Sequence, residues 1–400
     1  MAAYFTRSSA GPGIIPPAPF NPSSISTNLI PSQDSLYSLG IPTSRWTTAY
    51  LSYPPIYSGQ SGWYGGPYTD QWIRSSIVQG FWSTSAFPAY ANVTISQTVG
   101  PVSFFGGVAL PNGKIVLTPN NYSNVGLFSP YTDFYSDIVT PVPQNAFNGG
   151  VLAPSGKVVF IPFQSANVCV FSTTISNTFQ HNVKVPAFCG GVLDPFGNVV
   201  MIPYSTTSNI CTFNEQNNTF SNAAFINADG TFAGGVLCNG NVYCVPKTNS
   251  NVCTFNPLTR QVSNLVRASN FSGGVLTSNN SCILLVPSSG NVCLLNTTTG
   301  TLSNIVTNVQ GSFCGGCLLP TGNVIMAPFT NSNVGMVDPI RMTYSNSTPV
   351  PPGSSFAGAT LLQDGRVLLI PAQGSNVGIL NTVTPPQNRE FWLSPYFNKF

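Results

Sequence analysis

Charge is what this sequence lacks most. Asp, Glu, Lys and Arg together make up 6% of its 400 residues, against about a quarter of a typical soluble protein. Thirteen basic and ten acidic side chains leave a formal net charge of +3. The basic residues are scattered, so the cationic stripe that grips a phosphate backbone is missing, and no nucleic-acid partner is expected. Histidine occurs once, at His181, and no GxSxG, Walker A or HExxH pattern is present. The usual acid-base and nucleophile constellations therefore have nothing to build on, and the chain does not read as an enzyme. No apolar run reaches the roughly 18 residues of a membrane span, because Gly, Pro, Asn and Ser interrupt every candidate. The opening stretch MAAYFTRSSAGPGIIPPAPF lacks a continuous apolar h-region. It reads as an extended arm on a chain made in the cytosol.

What is abundant is punctuation. Glycine (37) and proline (35) separate short apolar runs instead of gathering in a linker, a pattern of many strands and tight turns. The punctuation is periodic. A glycine pair recurs at Gly106-Gly107, Gly149-Gly150, Gly190-Gly191, Gly234-Gly235, Gly273-Gly274 and Gly315-Gly316, with a last copy at Gly358-Ala359. The spacings are 43, 41, 44, 39, 42 and 43 residues. Each copy ends its second apolar run on a proline, at Pro119, Pro162, Pro203, Pro246, Pro287, Pro328 and Pro371. Each then places an Asn before Val or Ile, at Asn124, Asn167, Asn209, Asn251, Asn291, Asn333 and Asn376.

Within a copy the apolar runs are too short for helices and are bounded by Gly, Pro and Asn. Four strands in about 42 residues is the size of one propeller blade. The expected fold is all-β: a seven-bladed β-propeller of four-stranded blades over residues 89–384. An extended arm (1–27) and an aromatic-rich cap segment (28–88) precede it, and a tail (385–400) follows. The last copy lacks a convincing fourth strand, since Pro385-Pro386 interrupts it. YANVTISQTV, residues 90–99, has the alternation of a fourth strand and is expected to complete that blade. Closure would remove an open sheet edge.

Ten cysteines invite a disulfide or metal reading, but their placement argues otherwise. Cys169, Cys211, Cys253 and Cys293 occupy one repeat slot, which is Gly126, Gly335 and Gly378 in other copies. Cys189 and Cys314 share another slot with Asn148, Ala233, Ser272 and Ala357. Equivalent slots on neighbouring blades are too far apart for a disulfide, so small, buried, unbonded thiols are expected. No metal site and no cofactor are expected. Asp194 and Asp364 fall where a turn between the first two strands needs an Asx residue, and the recurring Asn reads as a turn cap.

The repeat is broken by the aromatics outside it. All five tryptophans, Trp46, Trp63, Trp72, Trp82 and Trp392, lie outside the blades. With Tyr50, Tyr53, Tyr57, Tyr64 and Tyr68 they form the expected interface residues, because Trp and Tyr give large contact area and dominate interface energetics.

Two motifs carry a resemblance. Residues 28–52, NLIPSQDSLYSLGIPTSRWTTAYLS, resemble a motif of phage tail-fibre and spike proteins and of giant-virus proteins. The matching positions are Leu29, Pro31, Asp34, Tyr37, Leu39, Gly40, Arg45, Trp46 and Tyr50. The blade pattern FxGGVLxPxGxVxxIPxxSxNVxxF is similar to kelch-like propeller repeats of proteins from large DNA viruses and some bacteria. The resemblance implies a non-enzymatic virion structural protein, a minor capsid or capsid-associated protein. It would be assembled in the host cytoplasm and touch other capsid proteins, the major capsid protein first among them. The alternative it leaves open is a host-attachment propeller binding glycans through loops that carry Tyr122, Tyr204 and Tyr344.

Overall fold

The computed structural model describes residues 89–94, 103–138, 146–165, 167–172, 178–180, 187–204, 209–226, 229–374 and 376–382. All belong to the unit Gly65–Phe400. The arm, the cap segment and the tail lie outside the described residues.

Seven four-stranded sheets follow one another, each antiparallel throughout. Blade three illustrates them, with Phe188–Leu193 innermost, then Val199–Pro203, Asn209–Asn214 and, outermost, Thr219–Phe225. Alternating strand direction places the loops between second and third strands, and the blade-to-blade connections, on one face, here called upper. The turns between first and second and between third and fourth strands form the lower face.

The sequence explains these layers. Second strands such as VVMIP are buried along their whole length, which suits a continuous Val/Ile/Met run. Outer strands such as QVSNLVR are mostly exposed with a few half-buried positions, and their outward residues are chiefly uncharged and polar. Seven apolar clusters fill the seven gaps between blades. One of them joins Leu368, Ile370 and Ile379 of blade seven to Phe104, Leu117 and Phe128 of blade one. The ring is therefore closed by a packed core, as elsewhere around it.

The closing strand is Ala89–Thr94. It pairs antiparallel with Asn376–Asn381, from Ala89 opposite Asn381 to Thr94 opposite Asn376. It begins one residue earlier than expected and its paired stretch ends at Thr94, the following residues lying outside those described. The recurring proline also has its reason. Six of the seven stand at the end of a second strand, opposite the phenylalanine that opens the first strand, as in Phe188 with Pro203 and Phe313 with Pro328; in blade seven Pro371 still faces Phe356, but the strand runs on to Gln373. A residue without an N–H is tolerated at such a strand end.

The two glycines of a pair do different work. A Cβ on Gly190 (φ +73°) would lie 3.1 Å from the Cα of Gly234 in the next blade, and one on Gly273 would lie 3.0 Å from the Cα of Gly315. The first glycine therefore lets backbones crowd the axis. The second lies under the preceding blade, where a Cβ on Gly191 would meet Ile161 Cδ1 at 2.7 Å. A register shift between the phenylalanine and this glycine marks a bulge in each of these first strands.

The slot that alternates between Cys and Gly is settled by a neighbour. In two of the three glycine copies a tyrosine from the outer strand covers it, a Cβ on Gly126 lying 2.9 Å from Tyr135 and one on Gly378 lying 2.9 Å from Tyr90; at Gly335 it would meet Met326 Cε at 2.7 Å and the Phe313 ring at 3.0 Å. Tyr90 belongs to the closing strand, so that strand supplies the same side chain as a regular fourth strand does. In three of the four cysteine copies the outer strand instead offers an Asn at a bulge, whereas Cys169 lies opposite Gln180. The thiol donates to that Asn in Cys211 to Asn222 (3.3 Å), Cys253 to Asn264 (3.1 Å) and Cys293 to Asn304 (3.1 Å).

Lower-face clamps tie successive blades. Lys157 of blade two pairs with Glu215 of blade three at 2.6 Å, and Cys238 of blade four donates to the Asn280 carbonyl of blade five at 3.1 Å. At the closure, Arg366 of blade seven binds Asp364 in its own turn, and Asp133 and the Pro130 carbonyl of blade one.

Candidate functional site

The residue before the first glycine of each copy faces the axis. Phe105, Asn148, Cys189, Ala233, Ser272 and Cys314 line what remains of the channel, with Gly149, Gly190 and Gly315. Phe105 packs beside Cys314, Ala357 and Ala372, and the cavity left is ≈ 10 Å³, about the room of one water molecule. Asn148 Nδ2 donates to Cys189 Sγ at 3.0 Å. Its Oδ1, buried at the same place, has no partner. Ser272 Oγ donates to the Phe313 carbonyl of the next blade.

All ten cysteines are buried and none is in a disulfide, as expected for the six that share repeat slots, and Cys238, Cys244, Cys282 and Cys317 are buried alike. Burial pushes the Cys189 thiol up to about 11 and the Cys314 thiol up to about 12, and the Lys247 ammonium opposes the shift in both. Thiolate, the reactive and metal-binding form, is therefore suppressed at neutral pH. Cys314 and Cys317, despite their CxxC spacing, diverge: one faces the axis and the other enters the core between blades six and seven. Among the described residues no three His, Cys, Asp or Glu side chains converge as a metal set. No helix among them is long and apolar enough to cross a membrane.

The upper rim of the axis is a second ring. The residue after each second-strand proline sits there, and six of the seven are held alike by an N–H donated to the carbonyl just before the first strand. Phe163 bonds to Ala146, Tyr204 to Ala187 and Lys247 to Thr231, at 2.8, 2.9 and 2.9 Å. Phe163 and Tyr204 meet edge to face at 5.0 Å, and Lys247 Nζ stands 5.5 Å from the Tyr204 ring centroid. All three are half-buried.

The three loop tyrosines separate here. Tyr122 is 5% exposed and donates to Asp137, which also accepts from Tyr135. Burial, reinforced by this carboxylate, raises the Tyr122 phenol to about 12. Tyr344 lies in the outer strand Thr343–Pro349, not in a loop, and its hydroxyl is buried. Only Tyr204 of the three stands on an open rim. The lower face has a different character. Of eight large apolar side chains exposed among the described residues, six lie on its turns or at their edge: Tyr131, Phe134, Phe196, Leu258, Ile340 and Met342.

Asp194 and Asp364 serve their turns as expected. Asp194 Oδ1 accepts from the N–H groups of Phe196 (2.9 Å) and Asn198 (2.8 Å). The turn cap assigned to the Asn before Val is carried more consistently by the residue that ends the third strand. Asn214, Asn256, Asn296 and Asp338 each accept two backbone N–H bonds across the following turn. The expected interface residues Trp46, Tyr50, Tyr53, Tyr57, Trp63, Tyr64, Tyr68, Trp72, Trp82 and Trp392, and also His181, lie outside the described residues.

No family model and no curated protein matches the chain. Solved structures do match. A streptogramin B lyase is 12% identical with a TM-score of 0.63, covering 73% of this chain and 97% of that one. A catalytically inactive virginiamycin B lyase from Staphylococcus aureus, with quinupristin, is 10% identical with a TM-score of 0.64, covering 74% and 99%. The WD40 propeller domain of Doa1 is 13% identical with a TM-score of 0.56, covering 76% and 99%. A lyase and a WD40 domain share this ring, so the likeness establishes a β-propeller and carries no activity across.

Proposed function

We propose that this chain is a non-enzymatic structural protein of a large virus particle, a capsid-associated propeller that makes protein-protein contacts. The observation that carries the reading is the exposure of Leu258 (74%), Ile340 (78%), Tyr131 (57%), Phe134 (57%) and Phe196 (52%) on the turns of one face. They are spread over the lower-face turns of blades one, three, four and six, so the contact they suit is a broad one across that face of a nearly uncharged ring. The axis supports the same reading, since Phe105 and its neighbours leave a cavity with room for about one water. The viral part rests on the fibre-like motif of residues 28–52, with the aromatic segment after it as a further contact.

Cross-linking mass spectrometry on intact purified particles tests this. Cross-links from the lower-face turns or from the first 88 residues to the major capsid protein are expected, and absence of the protein from particles overturns the viral assignment. Leu258→Asp with Ile340→Asp should leave thermal stability within about 1 kcal/mol of the parent, since both side chains are exposed. Incorporation should fall at least tenfold, and normal incorporation of this variant would remove the lower face from the proposal.

A further inference from the structure

The rim of the axis on the upper face holds a cation whose surroundings call for a ligand. Lys247 is half-buried. Three other cations among the described residues, Lys157, Arg341 and Arg366, are ion-paired. Lys114, Arg260 and Arg267 are exposed to solvent. Lys247 is thus the half-buried cation that has no described carboxylate within ion-pair distance, in a chain with few charges to spare. The ammonium lies over the Tyr204 ring, 5.5 Å from its centroid, an arrangement that holds a positive charge at a fixed place on the rim.

Its neighbours narrow the chemistry. Phe163 and Tyr204 meet edge to face with 73° between their ring planes, the ammonium lies over the Tyr204 ring, and no described residue bonds to the Tyr204 hydroxyl. Apolar faces, one free hydroxyl and one positive charge suit a ligand with an apolar C–H face, hydroxyl groups and a single negative charge. A compact ammonium binds one anionic group as a point charge, and a carboxylate matches that single charge where a phosphate monoester would bring about two. Beneath the rim, the unpartnered Asn148 Oδ1 and the one-water cavity add a polar floor. The Lys247 charge reaches that floor, since it acts on both axial thiols.

We propose that Phe163, Tyr204 and Lys247 form a single binding site for a carboxylate-bearing sugar at the upper mouth of the propeller axis. The site arises once because the same rim slot holds Asn120, Ser288, Phe329 and Ala372 in the other blades. Seven equivalent sugar sites are therefore not required. The site lies on the face opposite the apolar turns, so it stands or falls independently of the capsid contact.

The test is a titration of the full chain with N-acetylneuraminate and glucuronate against galactose and glucose, read by saturation-transfer NMR and calorimetry. Acidic sugars should bind at least about tenfold more tightly than neutral ones, and raising the salt should weaken them, as expected for a partly exposed ion pair. Lys247→Met should remove the preference for the acidic sugars, Tyr204→Ala should weaken every sugar about tenfold, and Lys114→Met should change nothing. Unchanged melting temperatures would show that the variants fold. Equal binding of acidic and neutral sugars, undiminished acidic-sugar binding in Lys247→Met, or no binding of any sugar overturns the proposal. So does equally tight binding of inorganic phosphate or of a glutamate-rich peptide, which would mark the rim as a general anion or protein contact.

Discussion

Gly190→Ala probes the crowding of the axis, and Gly156→Ala supplies its control. Both glycines have positive φ, +73° and +82°. Placing an L-residue there costs about 1–2 kcal/mol, offset by about 0.4–1 kcal/mol from the stiffer unfolded chain. That leaves roughly 1 kcal/mol for either substitution. The surroundings differ. A Cβ at Gly156 meets nothing within 4 Å, whereas one at Gly190 lies 3.1 Å from the Gly234 Cα. Backbone cannot rotate away as a side chain can, so the axial methyl adds an overpacking cost of about 1–3 kcal/mol. The expected losses are about 1 kcal/mol for Gly156→Ala and about 2–4 kcal/mol for Gly190→Ala. At roughly 2 °C per kcal/mol for a ring of this length, thermal melting followed by circular dichroism should separate the two variants by several degrees. Equal melting temperatures would refute the idea that close approach at the axis, and not turn geometry alone, requires the first glycine of each pair.

Three further outcomes are expected. Arg366→Met removes the clamp between blades seven and one, whose Arg is 19% exposed. Hydrogen bonds to charged groups suggest a loss of about 1–2 kcal/mol after allowance for solvent; Asp133→Asn, at a 48% exposed partner, should lose less, and urea unfolding would rank them. Gly378→Cys should destabilise the ring by about 1–3 kcal/mol, and adding Tyr90→Leu should recover part of that loss; strict additivity in the double-mutant cycle would break the link between slot and covering tyrosine. Burial raises the folded thiols of Cys169, Cys211, Cys253 and Cys314 from 9.0 to about 12, so above pH 9 the unfolded chain sheds protons that the folded one retains. Stability is then intact below about pH 9 and declines as pH climbs toward 12; a melting temperature flat from pH 8 to 10.5 contradicts this, as would rapid alkylation of native thiols at pH 7.5.

Much of the architecture is local and therefore periodic, which is why it could be read in one dimension. A blade is a contiguous run of about 42 residues, and its turns need Gly, Pro or Asx wherever they recur. Blade number followed from the glycine pairs, and closure followed from a fourth strand missing at one end and spare at the other. The buried cysteines of shared slots were legible for the same reason, since one repeat slot maps to one environment. Among the described residues, what escaped the pattern depends on pairs distant in sequence. The tyrosines that cover Gly126 and Gly378 are nine and 288 positions away. The Arg366 to Asp133 clamp spans 233 residues.

The sequence by itself determined the repeat, the strand order within a blade and the scarcity of charge on the surface. These follow from backbone preference and from which side chains tolerate water. Only the tertiary structure decided which of Tyr122, Tyr204 and Tyr344 stands free, because all three are tyrosines in similar polar settings. Folding within single blades buries the first beside Asp137 and places the third in an outer strand, whereas packing of successive blades brings Tyr204 beside Phe163 and Lys247. Those three residues are each about 42 positions apart in the chain. They become neighbours because ring closure sets equivalent slots of successive blades side by side.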